Sequence, residues 1–131
     1  MIAPNTLRRV QAIVAAVAVL FGCATLFAGG RVLLGSDPGY EVFRPLLIYN
    51  TTMGVAYVAA GLAVWRSLRR GRNAAGAIFA LNLLVLVGIL VIYRSGGAVA
   101  VDSLRAMSLR TFVWLILFLS ASWITRARAA A

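Results

Sequence analysis

The stretch IYNTTMGVAYVAAGLAVW, residues 48–65, decides the fold because it runs for 18 residues without a charged side chain. An α-helix rises about 1.5 Å per residue, so this stretch covers about 27 Å, close to the hydrocarbon thickness of a bilayer. Pro45 suits the first turn of such a helix, where its missing N–H costs nothing. The sequence therefore predicts a transmembrane helix over residues 45–65.

Three further segments share this apolar character. Residues 10–29 and 74–93 carry no charge, and residues 111–124 form a shorter charge-free run. Extending the last run back to residue 104 completes a span, with Asp102 and Ser103 expected to cap it and with Arg105 and Arg110 drawn into it. Since 63% of all residues are hydrophobic, the chain is predicted to be one all-α integral membrane domain, an up-down-up-down four-helix bundle with spans at residues 10–29, 45–65, 74–93 and 104–124.

The basic residues predict the orientation of this bundle. Eight of the 13 arginines fall on one side of a four-span arrangement, at positions 8, 9, 66, 69, 70, 72, 126 and 128. The positive-inside rule then places both termini in the cytoplasm, N-in and C-in. The acidic residues Asp37, Glu41 and Asp102 all fall on the other side. The net charge of +10 is thus explained by topology and by contact with anionic lipid headgroups in the bilayer, and nucleic-acid binding is not expected.

The second span contains an Asn-Thr-Thr triplet that matches a glycosylation signal but lies in the predicted membrane. Helical spacing places Asn50, Gly54, Tyr57 and Gly61 on one stripe. An amide in hydrocarbon requires a hydrogen-bond partner, so this stripe is expected to face other helices. Asn82 or a tyrosine of a neighbouring span is the expected partner of Asn50.

The other spans show comparable stripes of small or hydrogen-bonding residues. The stripe of the first span is Gln11, Ala15, Ala18, Gly22, Thr25 and Gly29; that of the third is Phe79, Asn82, Leu86, Ile89 and Tyr93; that of the fourth is Ser103, Met107, Arg110, Trp114 and Leu117. One interpretation is that the stripes are packing seams. The other is that five polar residues line a pocket open to the outer leaflet: Asn50, Tyr57, Asn82, Tyr93 and Arg110.

Arg110 is the most demanding residue of the fourth span. An unpaired arginine within a membrane costs at least about 2.5 kcal/mol, so it must pair, reach the headgroups or face water. Asp102 lies about 12 Å away along the helix. The expected ion-pair partner is therefore Glu41 or Asp37, and the alternative is an arginine that reaches lipid headgroups.

Catalytic and metal-binding residues are scarce. The chain has no His and one Cys, and no acidic residue lies in the apolar runs. These absences remove haem and zinc ligands, a Cys-His nucleophile and paired carboxylates. The sequence predicts no metal and no cofactor, and it favours a protein without enzymatic activity while leaving that question open. Cys23 is expected to be a small buried side chain, in a first span that is retained and not cleaved.

The order of parts carries a family resemblance. A first span ending in Gly-Gly is followed by an external loop, the segment FRPLL at residues 43–47, a Gly- and Ala-rich second span, a basic loop and two further spans. This order resembles the DoxX-like group of small four-helix bacterial membrane proteins. The resemblance implies a bacterial inner-membrane accessory protein, because the group includes membrane subunits or partners of oxidoreductases.

Together these features predict an accessory or interaction subunit that binds a lipid-like or quinone-like ligand between its helices. Its partner would be another membrane protein or a second copy of the chain. The alternative is a small oligomeric channel or transporter.

Overall fold

The computed structural model describes residues 2–130 and places four α-helices in this part of the chain. They are α1 (Pro4–Leu33), α2 (Arg44–Arg66), α3 (Leu68–Arg94) and α4 (Val101–Ala129). Each is long and apolar enough to cross a membrane by its length and composition. The described residues contain no β-strand. The prediction of an all-α chain with four spanning helices is therefore confirmed.

The helix ends follow from local residue chemistry. Pro4 and Pro45 lie in the first turns of α1 and α2, where the proline ring fits a helical φ. Only Ser67 separates α2 from α3, and its backbone is extended, with φ −146° and ψ 100°. The predicted cap of α4 is wrong, because the N-cap is Ala100 and Asp102 lies within the first turn. Asp102 still stands near the positive end of that helix.

The helices α1 and α2 pack closely through small residues. The two helices are antiparallel. Gln11 of α1 contacts Val64 of α2 at one end of the pair, and Gly29 contacts Thr51 at the other. Between these ends, a Cβ added to Gly22 would lie 2.8 Å from the carbonyl oxygen of Gly54. Glycine thus allows the two backbones to touch, as small residues do in membrane helix pairs.

Aromatic rings fill the centre of the bundle. The Tyr57 ring lies 5.7 Å from that of Phe21 and 4.8 Å from that of Trp114, measured between centroids. Tyr57, Trp114 and Met107 are fully buried. Phe21, Tyr57 and Trp114 join α1, α2 and α4 in one core, Met107 belongs to a second buried cluster with Leu46 and Ile89, and large apolar side chains cover the outside of the helices.

Most members of the predicted stripes in α1 and α4 are buried. The residues concerned are Gln11, Ala15, Ala18, Gly22 and Thr25 in α1, and Ser103, Met107, Trp114 and Leu117 in α4. Cys23 is exposed, which corrects the expectation that it is buried. Its neighbours in the chain are small and apolar, so their chemistry alone does not distinguish the inner from the outer side of α1.

The buried residues of α3 include Ala75, Ile78, Asn82 and Ile89. Asn82 and Ile89 belong to the predicted stripe, and its members Phe79 and Leu86 are half-buried and pack against the core. Tyr93 differs from the prediction, since it is 40% exposed in the last turn of α3.

Candidate functional site

A cavity of about 290 Å³ lies at the end of the bundle where α1 ends and α2 and α4 begin. The connection between α1 and α2 forms part of its wall. In that connection Gly39 has φ 85°, the value that a type II turn requires at its third position. The N–H of Gly39 donates to Asp37 Oδ1 at 2.8 Å. The turn thus holds the connection in a defined shape beside the cavity.

Apolar side chains form much of the wall. Val42 and Phe43 belong to it, together with Leu46 and Leu47 of α2. Phe43 also packs against the buried cluster that contains Leu46. The structure therefore places Val42 and Phe43 against the bundle. These side chains suit the apolar part of a ligand.

Two polar groups on the wall have unused hydrogen-bonding capacity. Asn50 Oδ1 from α2 and Arg110 Nε from α4 are buried, and neither has a hydrogen-bond partner within residues 2–130. The expected bond from Asn50 to Asn82 or a neighbouring tyrosine is therefore wrong. Asn50 faces the cavity between α1, α2 and α4, while Asn82 belongs to α3 and bonds with other residues. Two residues from different helices, each with a buried polar atom that lacks a partner, thus line the same cavity.

The charges on the wall do not form the predicted ion pair. Arg110 shares the cavity wall with Asp37, but no ion pair forms between them in the described part of the chain. Glu41, the other predicted partner, is exposed and lies outside the wall, as does the more distant candidate Asp102. Asp37 Oδ1 is instead occupied by the turn at Gly39. Asp37 and Arg110 therefore flank the cavity from two sides.

Arg31 adds a second positive charge to the wall. Its guanidinium carbon lies 5.4 Å from the centroid of the Phe27 ring, one turn earlier in α1. With Arg110 and Asp37 the wall then carries two positive charges and one negative charge. This balance favours a polar or anionic group over a cation.

A separate cluster of hydrogen-bonded polar side chains lies in the core between α2 and α3. Asn82 Oδ1 accepts from Tyr49 Oη at 2.8 Å, and Asn82 Nδ2 donates to Tyr57 Oη at 3.1 Å. The sequence prediction included Tyr57 and Asn82 but missed Tyr49. The available signal was the spacing of the two tyrosines, which are eight residues apart and so about two turns apart on one side of α2.

The five predicted site residues are thus divided by the structure. Asn50 and Arg110 line the cavity, Tyr57 and Asn82 bond in the core, and Tyr93 is exposed at the end of α3. A further buried donor, Trp114 Nε1, lies one turn from Arg110 without a partner among the described residues. Within residues 2–130 no three His, Cys, Asp or Glu side chains come together as metal ligands. The polar side chains of the cavity wall can therefore bind a ligand through hydrogen bonds and charge.

No protein-family model matches the chain, and no curated protein or solved structure shows significant similarity to it. The four helices and the cavity define a class, that of multi-pass α-helical membrane proteins with a polar cavity at one end of the bundle. The DoxX-like resemblance stays a prediction from the order of the sequence segments.

Proposed function

We propose that this chain is a ligand-binding accessory protein of the bacterial inner membrane. In this proposal the helices run up-down-up-down, both termini are cytoplasmic, and the cavity opens on the outer side. The ligand is an amphipathic molecule with a quinone-like or lipid-like head. The observation that carries the proposal is that Asn50 of α2 and Arg110 of α4 line the same cavity, and that each has a buried polar atom without a hydrogen-bond partner among residues 2–130.

The two groups specify the chemistry of the head. Arg110 donates to a carbonyl or anionic oxygen, and Asn50 Oδ1 accepts from a hydroxyl or N–H group. A reduced quinone has both features, since one ring hydroxyl can donate while an oxygen on the ring accepts. A hydrogen bond to a charged group contributes about 1.5–3 kcal/mol. Such a head would satisfy both buried groups together.

The size of the cavity limits how much of the ligand it holds. A volume of about 290 Å³ is at the lower end of small-molecule sites, which run from about 300 to 1,000 Å³. It suits one ring or a small head group. An isoprenoid or acyl tail would then extend into the lipid, where it needs no protein pocket.

A binding role fits the wall better than catalysis. The wall includes neither His nor Cys, and its acid, Asp37, uses Oδ1 to hold the turn at Gly39. Arg110 offers hydrogen-bond donors and no acceptor, so it would position a ligand. The chain would hold or present the ligand to a membrane-protein partner or to a second copy.

The channel alternative gains no support from the interior of one subunit. Tyr57, Met107 and Trp114 are fully buried in the middle of the bundle. Side chains packed in this way leave no continuous path between the two ends. A conducting pathway would have to run between copies of the chain.

Tryptophan fluorescence tests the proposal directly. In the background Trp65→Phe/Trp123→Phe, Trp114 is the remaining tryptophan of the three, and it lies one turn from Arg110. A short-tailed benzoquinone, which quenches indole fluorescence, would be titrated into protein held in neutral-lipid nanodiscs, and its quinol would be measured by competition with the quinone. We expect saturable quenching, with native mass spectrometry showing one bound molecule.

Variants distinguish the cavity from simple partitioning into lipid. Arg110→Gln is expected to weaken binding at least about tenfold, which corresponds to about 1.4 kcal/mol. Asn50→Leu is expected to weaken the quinol more than the quinone. Arg105→Gln, on an exposed position of the same helix, is the matched control and should bind as the parent does. Quenching that never saturates, or equal affinity in Arg110→Gln, would contradict the proposal.

A further inference from the structure

The opposite end of the bundle carries a recess made largely of arginines. It has a volume of about 410 Å³ and is lined by Arg8, Gln11, Trp65, Arg66 and Arg128. These residues come from the start of α1 and from the ends of α2 and α4. None of them is acidic, and the three acidic residues of the chain are at positions 37, 41 and 102. Within residues 2–130, three arginines therefore line the recess and no acidic side chain does.

Helix electrostatics account for only part of this cluster. Arg66 and Arg128 lie in the last turns of α2 and α4, where positive charge is favourable. Arg8 lies near the start of α1, whose first turn has no acidic residue. Arg8 is in the second turn of α1, beyond the first turn where the helix dipole acts, so the dipole does not explain its position. An anion in the recess would offset the repulsion among the arginines.

Gln11 fixes the geometry of the recess. Its side chain is buried, and Nε2 donates to the carbonyl oxygen of Val64 at 2.7 Å. A second, longer contact of 3.4 Å reaches the carbonyl oxygen of Trp65. These bonds tie α1 to the last turn of α2, so the backbones that carry Arg8 and Arg66 keep a constant separation. Folding therefore already fixes part of the site, which reduces the conformational entropy lost when a ligand binds.

Trp65 indicates where this recess lies relative to the bilayer. Its ring is 51% exposed and stands beside Arg66 at the end of an apolar helix. Tryptophan at such a position is typical of the membrane–water interface, at the depth of the lipid headgroups. The recess is therefore at the level where phosphate groups of lipids are found.

We infer that this recess binds a phosphate group, held by the guanidinium groups of Arg8, Arg66 and Arg128. Arginine suits this ligand because its planar fork donates two parallel hydrogen bonds to phosphate oxygens. The phosphate would belong to an anionic phospholipid headgroup or to a free phosphate ion, and both present the same oxygens. This inference uses none of the residues of the cavity at the other end of the bundle.

A titration with three ligands separates the two sources. Delipidated full-length protein in neutral detergent would receive phosphatidylglycerol, phosphatidylcholine or inorganic phosphate, with bound adducts counted by native mass spectrometry. We expect a phosphatidylglycerol adduct that survives at lipid concentrations where phosphatidylcholine gives none. Saturable binding of inorganic phosphate alone would also support a phosphate site and would assign it to the free ion.

A charge-matched pair of variants tests whether the recess itself is responsible. Arg8→Gln/Arg66→Gln is expected to lower the affinity at least about tenfold. The control Arg69→Gln/Arg70→Gln removes two exposed arginines that lie outside the recess, and it should change the affinity less than about threefold. Equal losses in both variants, or equal binding of phosphatidylcholine, would overturn the inference. Far-ultraviolet circular dichroism confirms that each variant remains helical.

Discussion

Tyr57 and Asn82 are both fully buried and hydrogen-bond to each other across the interface of α2 and α3, with Asn82 Nδ2 donating to Tyr57 Oη at 3.1 Å. Tyr49 donates to the same amide at 2.8 Å. One amide therefore satisfies two phenol groups of the neighbouring helix. Hydrogen bonds of this kind contribute about 0.6 kcal/mol each in membrane proteins, but leaving one partner buried and unpaired costs more.

Asn82→Leu should therefore lower the free energy of unfolding by about 1–3 kcal/mol, because it leaves the buried Tyr57 Oη without its partner. Unfolding in a graded detergent mixture, followed by circular dichroism, measures the change. Tyr57→Phe added to Asn82→Leu should recover part of the loss. Asn50→Leu is the matched control and should leave stability unchanged or slightly higher, since it removes an acceptor that already lacks a partner. A larger loss from Asn50→Leu than from Asn82→Leu would show that the roles are reversed.

Gly54→Leu should destabilise the pairing of α1 with α2. A Cβ at this position would lie 2.7 Å from Leu26 Cγ and 3.2 Å from the carbonyl oxygen of Gly22. Overpacking of this kind costs about 1–3 kcal/mol, measurable by the same unfolding assay. Gly88→Leu is the control, because Gly88 is exposed and an added Cβ meets no atom within 4 Å. Equal stability of the two variants would place the α1–α2 contact elsewhere.

Arg110 and Asp37 should behave as independent residues in a double-mutant cycle. They share the cavity wall without forming an ion pair. The coupling energy from Arg110→Gln, Asp37→Asn and the double variant should stay below about 0.5 kcal/mol in unfolding measurements without added ligand. A coupling energy of about 1 kcal/mol or more would show that Arg110 and Asp37 do form the ion pair that the sequence predicted.

The topology proposed from the arginines is open to direct test. Reporter fusions after Arg72 and after Ala131 should report a cytoplasmic location, and a fusion after Gly39 should report an external one. The physical reason is the excess of arginine at one end of the bundle, eight against five. Reversed signals would refute the N-in, C-in orientation, and mixed signals at each position would indicate insertion in both directions.

The sequence predicted best the features that depend on one segment at a time. The charge-free runs located all four helices, and the small-residue stripe of α1 indicated its packing face. Helical spacing placed Tyr93 in line with the buried Ile89, yet Tyr93 is exposed in the last turn of α3. Spacing gives the side of a helix that a residue occupies but not how far along the axis the neighbouring helices cover that side.

The sequence by itself determined how many spanning helices the chain has and which ends carry the arginines. These properties depend on the length and hydrophobicity of each segment, because every backbone polar group of a spanning helix is satisfied within the helix. Only the tertiary structure decided that Tyr49, and not Asn50, bonds with Asn82, and that of the five predicted pocket residues only Asn50 and Arg110 line the cavity. The tertiary structure also places Arg8, Arg66 and Arg128 around one recess. Lipid and the bundle interior are both apolar, so hydrophobicity does not fix the rotation of a helix about its axis; side-chain packing against neighbouring helices does.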